Sequence, residues 1–436
     1  MENKKNYTIP IIVMILLFGM ISFVTNLASP MGDILKNQFD IPNWQGTLGV
    51  FANFIAYAVM GIPAGNLLQE IGYKWTALVA VVVGFVGVGI QTISGVMGSF
   101  GVYLLGAFVA GFSMCLLNTV VNPMLNRLGG GGNKGNQLIQ IGGSFNSLCG
   151  TAVIIITGLL IPQGIKNAEI SNVFPLMYTA LGIFAFAFLV ILLTKIPENE
   201  HRATVNQIAK GKGPMAFRHF VLGAIAIFIY VGVEVGIPNV LNKWLQNPEL
   251  NVLGSGVNAE AVAGSVAATY WFLMLIGRLV GGIIGSKVSA KSMLTVVSSI
   301  GIVLTLLAIF VSPTNMVSFP AFNGAEGFGL NNIPLNAAFL VCIGLCTSVM
   351  WGGIFNLAVE GLGKYTEKAS GIFMALVCGG GILPLLQNAI VDGITINGIK
   401  GVGYLQSYWV IVAGLAFLLF YALWGSKNVN KDIQTV

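Results

Sequence analysis

The feature that most constrains this chain is a series of apolar segments, each about as long as a bilayer-crossing helix. A helix needs about 20 apolar residues to span the hydrocarbon layer. Twelve such segments occur, six on each side of the polar stretch KIPENEHRATVNQIAKGKGPMAFR. They lie at 9–35, 46–68, 75–95, 99–124, 137–162, 173–194, 219–246, 261–286, 291–312, 336–360, 368–392 and 403–425. The pattern predicts an all-α membrane protein with twelve transmembrane helices.

The composition fits a chain whose solvent is lipid. Of the 436 residues, 56% are hydrophobic and only 8% are charged, whereas soluble domains carry about a quarter charged residues. The first apolar segment is too long for a signal-peptide core and lacks a small-residue cleavage site, so we expect it to be retained. The five cysteines fall in apolar segments away from both histidines. We therefore expect reduced packing cysteines, no metal site and no enzyme.

The basic residues predict the orientation, because cytoplasmic loops carry an excess of Lys and Arg. With both termini in the cytoplasm, sixteen of the 21 basic residues fall inside, four fall outside, and Arg278 lies within a helix. We expect an N-terminal six-helix bundle at 1–194, a cytoplasmic linker at 195–218 and a C-terminal six-helix bundle at 219–436. The basic residues form no stripe interleaved with aromatics, so no nucleic-acid partner is predicted.

A glycine motif recurs in the two halves. GIPAGNLLQEIGYK and GRLVGGIIGSKVSAK both carry glycines four residues apart, followed by a turn that ends in Lys. Parallel repeats of six helices are the architecture of the major facilitator superfamily. We interpret the glycines as close helix contacts at a gate between the halves, with ordinary small-residue packing as the alternative. Arg278 is interpreted as a gate or snorkelling residue, with a ligand role as the alternative. The predicted gate residues are Gly65, Lys74, Arg278 and Gly281.

Polar side chains inside the apolar segments are informative, since a polar group in hydrocarbon needs a partner. Only one of the fifteen acids, Glu234, lies near the middle of a segment, whereas amides recur there. Two interpretations are open: the amides bond helices together, or they line a hydrated cavity for a neutral, hydroxyl-rich solute. Accompanying aromatics suit stacking against a sugar ring and favour the cavity. The predicted substrate-binding residues are Asn26, Asn118, Asn122, Gln140, Asn146, Asn239, Tyr270, Trp271, Trp351, Asn356, Gln387 and Asn388.

Six pieces, spread in order over nearly the whole chain, carry a family resemblance. They are PAGNLLQEIGYK, LNTVVNP, SFNSLCG, IFIYVGVEVG, YWFLMLIGRLVG and LAVEGLGKYTEKASGIFMALVCGGGILPLL. Through them the chain resembles the fucose–proton symporter family of the major facilitator superfamily. The resemblance implies alternating access around a central site for a monosaccharide such as fucose, glucose, galactose, mannose or N-acetylglucosamine. It also implies a monomer in the bacterial inner membrane, with sugar and lipid as partners and no resident cofactor.

The chain departs from this family at two positions. Proton-coupled members carry an Asp before the Ile-Leu-Ile-Pro segment of the first helix, and a Glu that opens Glu-Thr-Ala-Ala-Asn-Pro in the fourth. Aligned on their prolines, TNLASP puts Asn26 at the Asp position and LNTVVNP puts Asn118 at the Glu position. An amide can bond a sugar hydroxyl but cannot carry a proton. The family's proton mechanism therefore does not transfer to this chain.

Three transport modes stay open. Uniport ranks first, Na+ symport through oxygen ligands second, and proton symport with Glu234 as carrier third. Glu234 also matches a Tyr-Val-Gly-Ala-Glu-Val element of the proton-coupled relatives, so a structural or gate contact is its favoured role. Na+ is the one candidate cofactor.

Functions of other classes fit the sequence less well. A non-transporting sugar sensor is expected to lose the gate glycines, which are present. A membrane-embedded enzyme needs paired carboxylates or a nucleophile–base pair at depth, and a drug or lipid exporter needs an apolar or charged cavity. The amide-rich segments favour a sugar transporter over all three.

Overall fold

The computed structural model describes residues 7–38, 48–160, 170–198, 213–254, 256–324, 327–393, 395–396, 399–400 and 403–430, and these are predominantly helical. The N-terminal helices are α1 (Thr8–Gln38), α2 (Leu48–Met97), α3 (Phe100–Leu128), α4 (Gly132–Leu160) and α5 (Phe174–Leu193). The C-terminal helices are α6 (Arg218–Gln246), α7 (Ala259–Ile284), α8 (Ala290–Phe310), α9 (Leu335–Thr347), α10 (Met350–Val359), α11 (Thr366–Ala375), α12 (Gly379–Gly393), α13 (Tyr404–Ser407) and α14 (Trp409–Phe420). A 3₁₀ turn at Leu376–Cys378 joins α11 to α12, and a π turn at Tyr421–Gly425 follows α14.

The described helices identify a multi-pass membrane protein. Ten helical segments within the described residues are long and apolar enough to cross a bilayer. Their limits follow the apolar runs of the sequence, because a helix satisfies its own backbone groups where no water can. The number twelve and the cytoplasmic position of the termini stay predictions. Most of the predicted linker lies outside the described residues.

Gly72 divides α2 into two arms that correspond to the second and third predicted segments. Its φ of 81° and ψ of −179° are values that a residue with a Cβ rarely adopts. The Glu198 carboxylate accepts hydrogen bonds of 2.9 Å from the backbone amides of Tyr73 and Lys74. These amides begin the second arm, so the carboxylate caps its positive end.

Several pairs of helices join the N-terminal helices (α1–α5) to the C-terminal helices (α6–α14), and two of these pairs are the most extensive. Helix α2 packs against α11, and α4 packs against α7. A Cβ built at Gly61 would lie 2.6 Å from the Ala375 Cα, and one at Gly65 would lie 2.9 Å from the Gly371 Cα. Glycine is therefore required for the close approach of α2 to α11.

Two short hairpins interrupt the helical pattern, which sequence analysis did not predict. The strands are β1 (Met316–Phe322), β2 (Phe328–Pro334), β3 (Thr395–Ile396) and β4 (Ile399–Lys400), and they pair antiparallel as β1–β2 and β3–β4. In the first hairpin Pro320 lies opposite Leu330. Ala321 is buried, while Phe322 and Leu330 are exposed. Strand residues alternate between two faces, so one face packs on the helices and the other does not.

Candidate functional site

The amide pair of α3 lies on one buried face of the helix. Residues four apart share a helix face, and here the Asn122 Nδ2 donates to the Asn118 carbonyl oxygen (2.9 Å) and to its Oδ1 (3.3 Å). The Asn118 Nδ2 donates in turn to the Tyr57 hydroxyl on α2, at 2.7 Å. Both amides are held in fixed orientations within the N-terminal helices.

Pro123 explains a further polar contact on the same helix. Proline has no N–H, so the carbonyl four residues earlier, on Thr119, loses its helical donor. The Ser370 hydroxyl on α11 supplies the missing donor, at 3.0 Å from the Thr119 oxygen. The Thr119 carbonyl, which Pro123 leaves without a helical donor, is thus bonded by a residue of the C-terminal helices.

Trp351 connects the amide pair to the C-terminal helices. Its Nε1 donates to the Asn122 Oδ1 at 3.0 Å. Its ring meets the rings of Tyr230 and Phe373 edge-on, with centroids 6.4 Å and 6.3 Å away. The indole therefore stands at the junction of α3 and α6, where its position is fixed by an amide on one side and by aromatic rings on the other.

Glu234 forms an ion pair with Arg278. The Arg278 Nη2 lies 3.2 Å from the Glu234 Oε1, and both side chains are nearly buried, at 11% and 12% exposure. The Tyr230 hydroxyl donates to the same carboxylate oxygen at 2.8 Å. The one acid near the middle of an apolar segment thus has both a cation and a hydroxyl donor. A structural or gate contact stays the predicted role of Glu234.

Arg278 also reaches across to the N-terminal helices. Its Nη1 donates to the Ser147 hydroxyl at 2.6 Å and to the Gly143 carbonyl at 3.2 Å, both on α4. Its Nε donates to the Ser348 carbonyl at 3.3 Å. Ser348 lies in the short turn between α9 and α10. The guanidinium uses all three of its nitrogens on protein partners, and its side chain is nearly buried.

Two predicted ligands, Gln140 and Asn356, hold the helix groups together. The Gln140 Nε2 donates to the Val349 carbonyl at 2.9 Å, and the Asn356 Nδ2 donates to the Gly132 carbonyl at 3.0 Å. Each bond runs between α4 and the α9–α10 region. Both side chains are buried in this contact, which is the interhelical bonding that the sequence left as the alternative to a cavity.

Asn26 and Asn146 lie where α1 packs against α4. The Asn26 Nδ2 donates to the Ser22 carbonyl and hydroxyl, at 2.8 Å and 2.9 Å. The Asn146 Nδ2 donates to the Phe18 carbonyl at 2.7 Å. Both amides are only partly buried. Neither amide oxygen has a partner among the described residues, so each can accept a hydrogen bond from a ligand hydroxyl.

The amides of α6 and α12 form a separate cluster. The Asn388 Nδ2 donates to the Asn239 Oδ1 at 3.2 Å, and the Lys243 Nζ donates to the Asn388 Oδ1 at 3.0 Å. The neighbouring Gln387 instead donates to the Ser407 hydroxyl at 3.3 Å. Asn239 lies more than one helical turn from Glu234 along α6, so this cluster is separate from the ion pair.

The predicted aromatic pair on α7 is divided between core and surface. Tyr270 is fully buried, and its hydroxyl lies 2.9 Å from the Thr347 Oγ1. The Trp271 ring stands edge-on to it, with centroids 5.4 Å apart, and is 37% exposed. The Tyr270 hydroxyl thus has its hydrogen-bond partner within the C-terminal helices, whereas Trp271 is the partly exposed member of the pair.

The predicted gate residues play different parts. Gly65 contacts Gly371 across the two helix groups, as described above. A Cβ at Gly281 would lie 2.5 Å from the Val349 Cγ1, within the C-terminal helices, and 3.7 Å from the Gln140 Cδ on α4. The Lys74 Nζ donates to the Leu192 and Thr194 carbonyls, at 2.7 Å and 3.0 Å, so it ties α2 to the end of α5.

Sequence analysis missed four residues that complete these contacts. A hydroxyl-bearing side chain inside an apolar helix is weak evidence for a functional site, because serine and tyrosine are common in membrane helices. Only the Thr119 carbonyl could have been predicted to need a donor, from the proline four residues later. The missed residues are Tyr57, Ser147, Tyr230 and Ser370.

The described residues contain no group of three or more His, Cys, Asp or Glu side chains that could hold a metal ion. The polar atoms at the junction of the helix groups belong mostly to amides and hydroxyls, with the Glu234–Arg278 ion pair and the Glu367 carboxylate beside them. The amides and hydroxyls can exchange hydrogen bonds with a neutral polyhydroxy compound.

Comparison with known proteins agrees with this fold. A sequence model described as Major Facilitator Superfamily matches residues 11–385. The glucose/galactose transporter of Brucella abortus is 28% identical over 432 residues, which cover 98% of this chain and 96% of that protein. The L-fucose-proton symporter of Escherichia coli is 23% identical over 418 residues, covering 89% of this chain and 88% of that protein. The resemblance predicted from the six sequence pieces is confirmed.

A solved structure shows the same arrangement of helices. The crystal structure of FucP, a Major Facilitator Superfamily transporter in the outward conformation, matches with a TM-score of 0.77. The match covers 97% of this chain and 100% of that chain, at 19% sequence identity. At this identity the likeness concerns the fold.

Proposed function

Since the chain belongs to the Major Facilitator Superfamily, we propose that it is an alternating-access transporter of a neutral monosaccharide. The chemistry of the site supports a sugar, because amide and hydroxyl groups recognise ring hydroxyls and the nearby aromatic faces can stack on a ring. The names of the relatives given above, a glucose/galactose transporter and an L-fucose-proton symporter, support the same class of substrate. Mannose and N-acetylglucosamine belong to the candidate panel, and the bacterial inner membrane is the proposed location.

The proposed topology has twelve spans, arranged as six-helix bundles at 1–194 and 219–436, with a cytoplasmic linker at 195–218 and cytoplasmic termini. The apolar stretch Phe51–Met97 is 47 residues long and breaks at Gly72, so it has the length for two crossings. Helix α4 has 29 residues and adds a further crossing to the ten apolar segments.

The conformation we propose is outward-facing. The Tyr73 hydroxyl bonds the Glu367 carboxylate across the helix groups at 3.3 Å, beside the contact of Gly65 with Gly371. These contacts lie next to Lys74 and Lys368, which the charge pattern assigns to the cytoplasmic side. Trp271 and the acceptor oxygens of the α1–α4 amides then belong to a site that opens outward.

Facilitated transport without a coupling ion is the proposed mode. The observation that carries it is the presence of amides, Asn26 and Asn118, at both positions where proton-coupled relatives keep an acid. The remaining acid near the middle of an apolar segment, Glu234, is paired with Arg278. A carboxylate that is already neutralised by a guanidinium is a poor ligand for Na+ and a poor carrier for a proton. Na+ symport and proton symport through Glu234 therefore rank below uniport.

Counterflow in proteoliposomes tests this function. Vesicles loaded with unlabelled sugar, in Na+-free buffer of equal pH on both sides, receive trace labelled sugar from the panel. We expect transient accumulation of at least one labelled monosaccharide, which empty vesicles lack. Absence of counterflow for every sugar in the panel would refute a monosaccharide transporter, and counterflow that requires Na+ would refute ion independence.

A further inference from the structure

We propose that Arg278 is a built-in countercharge that takes the place of a coupling ion. By holding a permanent positive charge against Glu234, it allows the sugar site to change conformation without binding H+ or Na+. This inference rests on the proposed ion-independent transport and gives it a physical cause. Arg278 thereby acts through Glu234 as a positioning residue, not as a ligand of the sugar.

The geometry supports a permanent pair. The Arg278 Nη2 and the Glu234 Oε1 are 3.2 Å apart, and both side chains are almost excluded from solvent. The Tyr230 hydroxyl donates a second hydrogen bond to the same carboxylate oxygen. A charge at this depth of a membrane protein is tolerated only with a partner, and the loss of one partner leaves the other uncompensated.

The groups that face the Glu234 carboxylate leave Arg278 as its counter-ion. Tyr230 faces it from its own helix, and Arg278 and Tyr270 face it from α7. Cys346 on α9 adjoins Tyr270 and carries no charge. Among the described residues that surround the carboxylate, the guanidinium is the cation.

Arg278 also belongs to the contact that must change during transport. Its Nη1 holds Ser147 and Gly143 on α4, whereas Glu234 and Ser348 lie on the C-terminal helices. When the helix groups rock apart at this level, the bonds to α4 break while the pair with Glu234 stays within one group. The site thus remains electrically neutral in both states, and no ion has to enter or leave.

Removal of the guanidinium should therefore create coupling. In Arg278→Gln, the Glu234 carboxylate faces the cavity without a cation. It would take up one proton from the outside, become neutral, and release that proton inside after the conformational change. The proton gained outside equals the proton lost inside, so one sugar and one proton cross together. The variant is expected to behave as a proton symporter.

The experiment compares four proteins in proteoliposomes: wild type, Arg278→Gln, Arg278→Lys and the double variant Glu234→Gln/Arg278→Gln. Sugar uptake is measured from pH 5.5 to 8.5 without gradients, and then with an imposed inward proton gradient. Wild type and Arg278→Lys should show a flat pH profile and no accumulation. Arg278→Gln should lose transport at alkaline pH and accumulate sugar up to about tenfold per unit of pH gradient. The double variant should regain the flat profile.

The outcomes separate this inference from the proposed function. A flat pH profile and no accumulation in Arg278→Gln would overturn the countercharge role. Inactivity of Arg278→Gln and the double variant at every pH would also overturn it, since the neutral pair should restore transport. Ion-driven accumulation by the wild type would instead refute uniport itself, whatever the variants do.

Discussion

The hydroxyl of Ser370 donates a hydrogen bond of 3.0 Å to the backbone carbonyl of Thr119, the carbonyl that Pro123 leaves without a helical donor. The two residues lie on α11 and α3, in different helix groups. A proline inside a membrane helix therefore creates a polar contact between the groups. In the proposed alternating-access cycle, this contact breaks when the two groups separate at the proposed cytoplasmic end.

Loss of the Ser370 hydroxyl should shift the conformational equilibrium. We expect Ser370→Ala to favour the state with an open cytoplasmic end by about 0.5–1.5 kcal/mol, or roughly two- to twelvefold, because a buried carbonyl loses its donor. Interspin distances between labels on α2 and α11 measure this shift. In a Pro123→Ala background the carbonyl regains a helical donor, so the same substitution should have a smaller effect. Equal effects in both backgrounds would contradict the proposed contact.

The amide of Asn118 should contribute to sugar affinity. Asn118→Ala removes a side chain that is positioned by Tyr57, and we expect the Kd for the transported sugar to rise about two- to twelvefold. Isothermal titration in detergent measures it. The matched control is Asn336→Ala, since Asn336 is a buried amide that bonds the Ala308 and Val311 carbonyls away from the site. If Asn118→Ala folds normally and its Kd for the sugar is unchanged, the assignment of α3 to the sugar site is wrong.

The close approach at Gly65 should be essential for closure of the cytoplasmic end. Gly65→Ala puts a Cβ 2.9 Å from the Gly371 Cα, and backbone cannot move aside; overpacking of this kind costs about 1–3 kcal/mol. Distances between spin labels at Glu70 and Lys291 should lengthen, and the transport rate should fall. Gly89→Ala is the control, because a Cβ there meets nothing within 4 Å. If both variants transport at the wild-type rate, the gate assignment at Gly65 is wrong.

The positions of the helices followed from the sequence far better than the partners of their side chains did. A bilayer requires apolar runs of a fixed length, and this requirement is local, so the segment limits could be predicted from composition. The contact at Gly65 was also predictable, because a repeated glycine pair on a membrane helix indicates close packing. The β1–β2 hairpin was not, since its strands contain glycine and proline and lie between two helices.

The fate of each amide depended on packing that no local pattern specifies. Gln140 and Asn356 bond carbonyls across the helix groups, whereas the amide oxygens of Asn26 and Asn146 have no partner among the described residues. All four looked alike in the sequence, as single amides within apolar runs. The pairing of Glu234 with Arg278 joins residues on separate helices, and only the folded arrangement brings them together.

The measurement that tests the central claim most directly is the steady-state sugar ratio across the membrane of wild-type proteoliposomes. Inward gradients of Na+ and H+ are imposed, separately and together, and labelled sugar is followed to equilibrium. Ion-independent transport predicts that the internal concentration rises to the external one and no further, with any gradient or none. A sugar concentration inside that exceeds the external one, and that collapses when an ionophore dissipates the gradient, would contradict it.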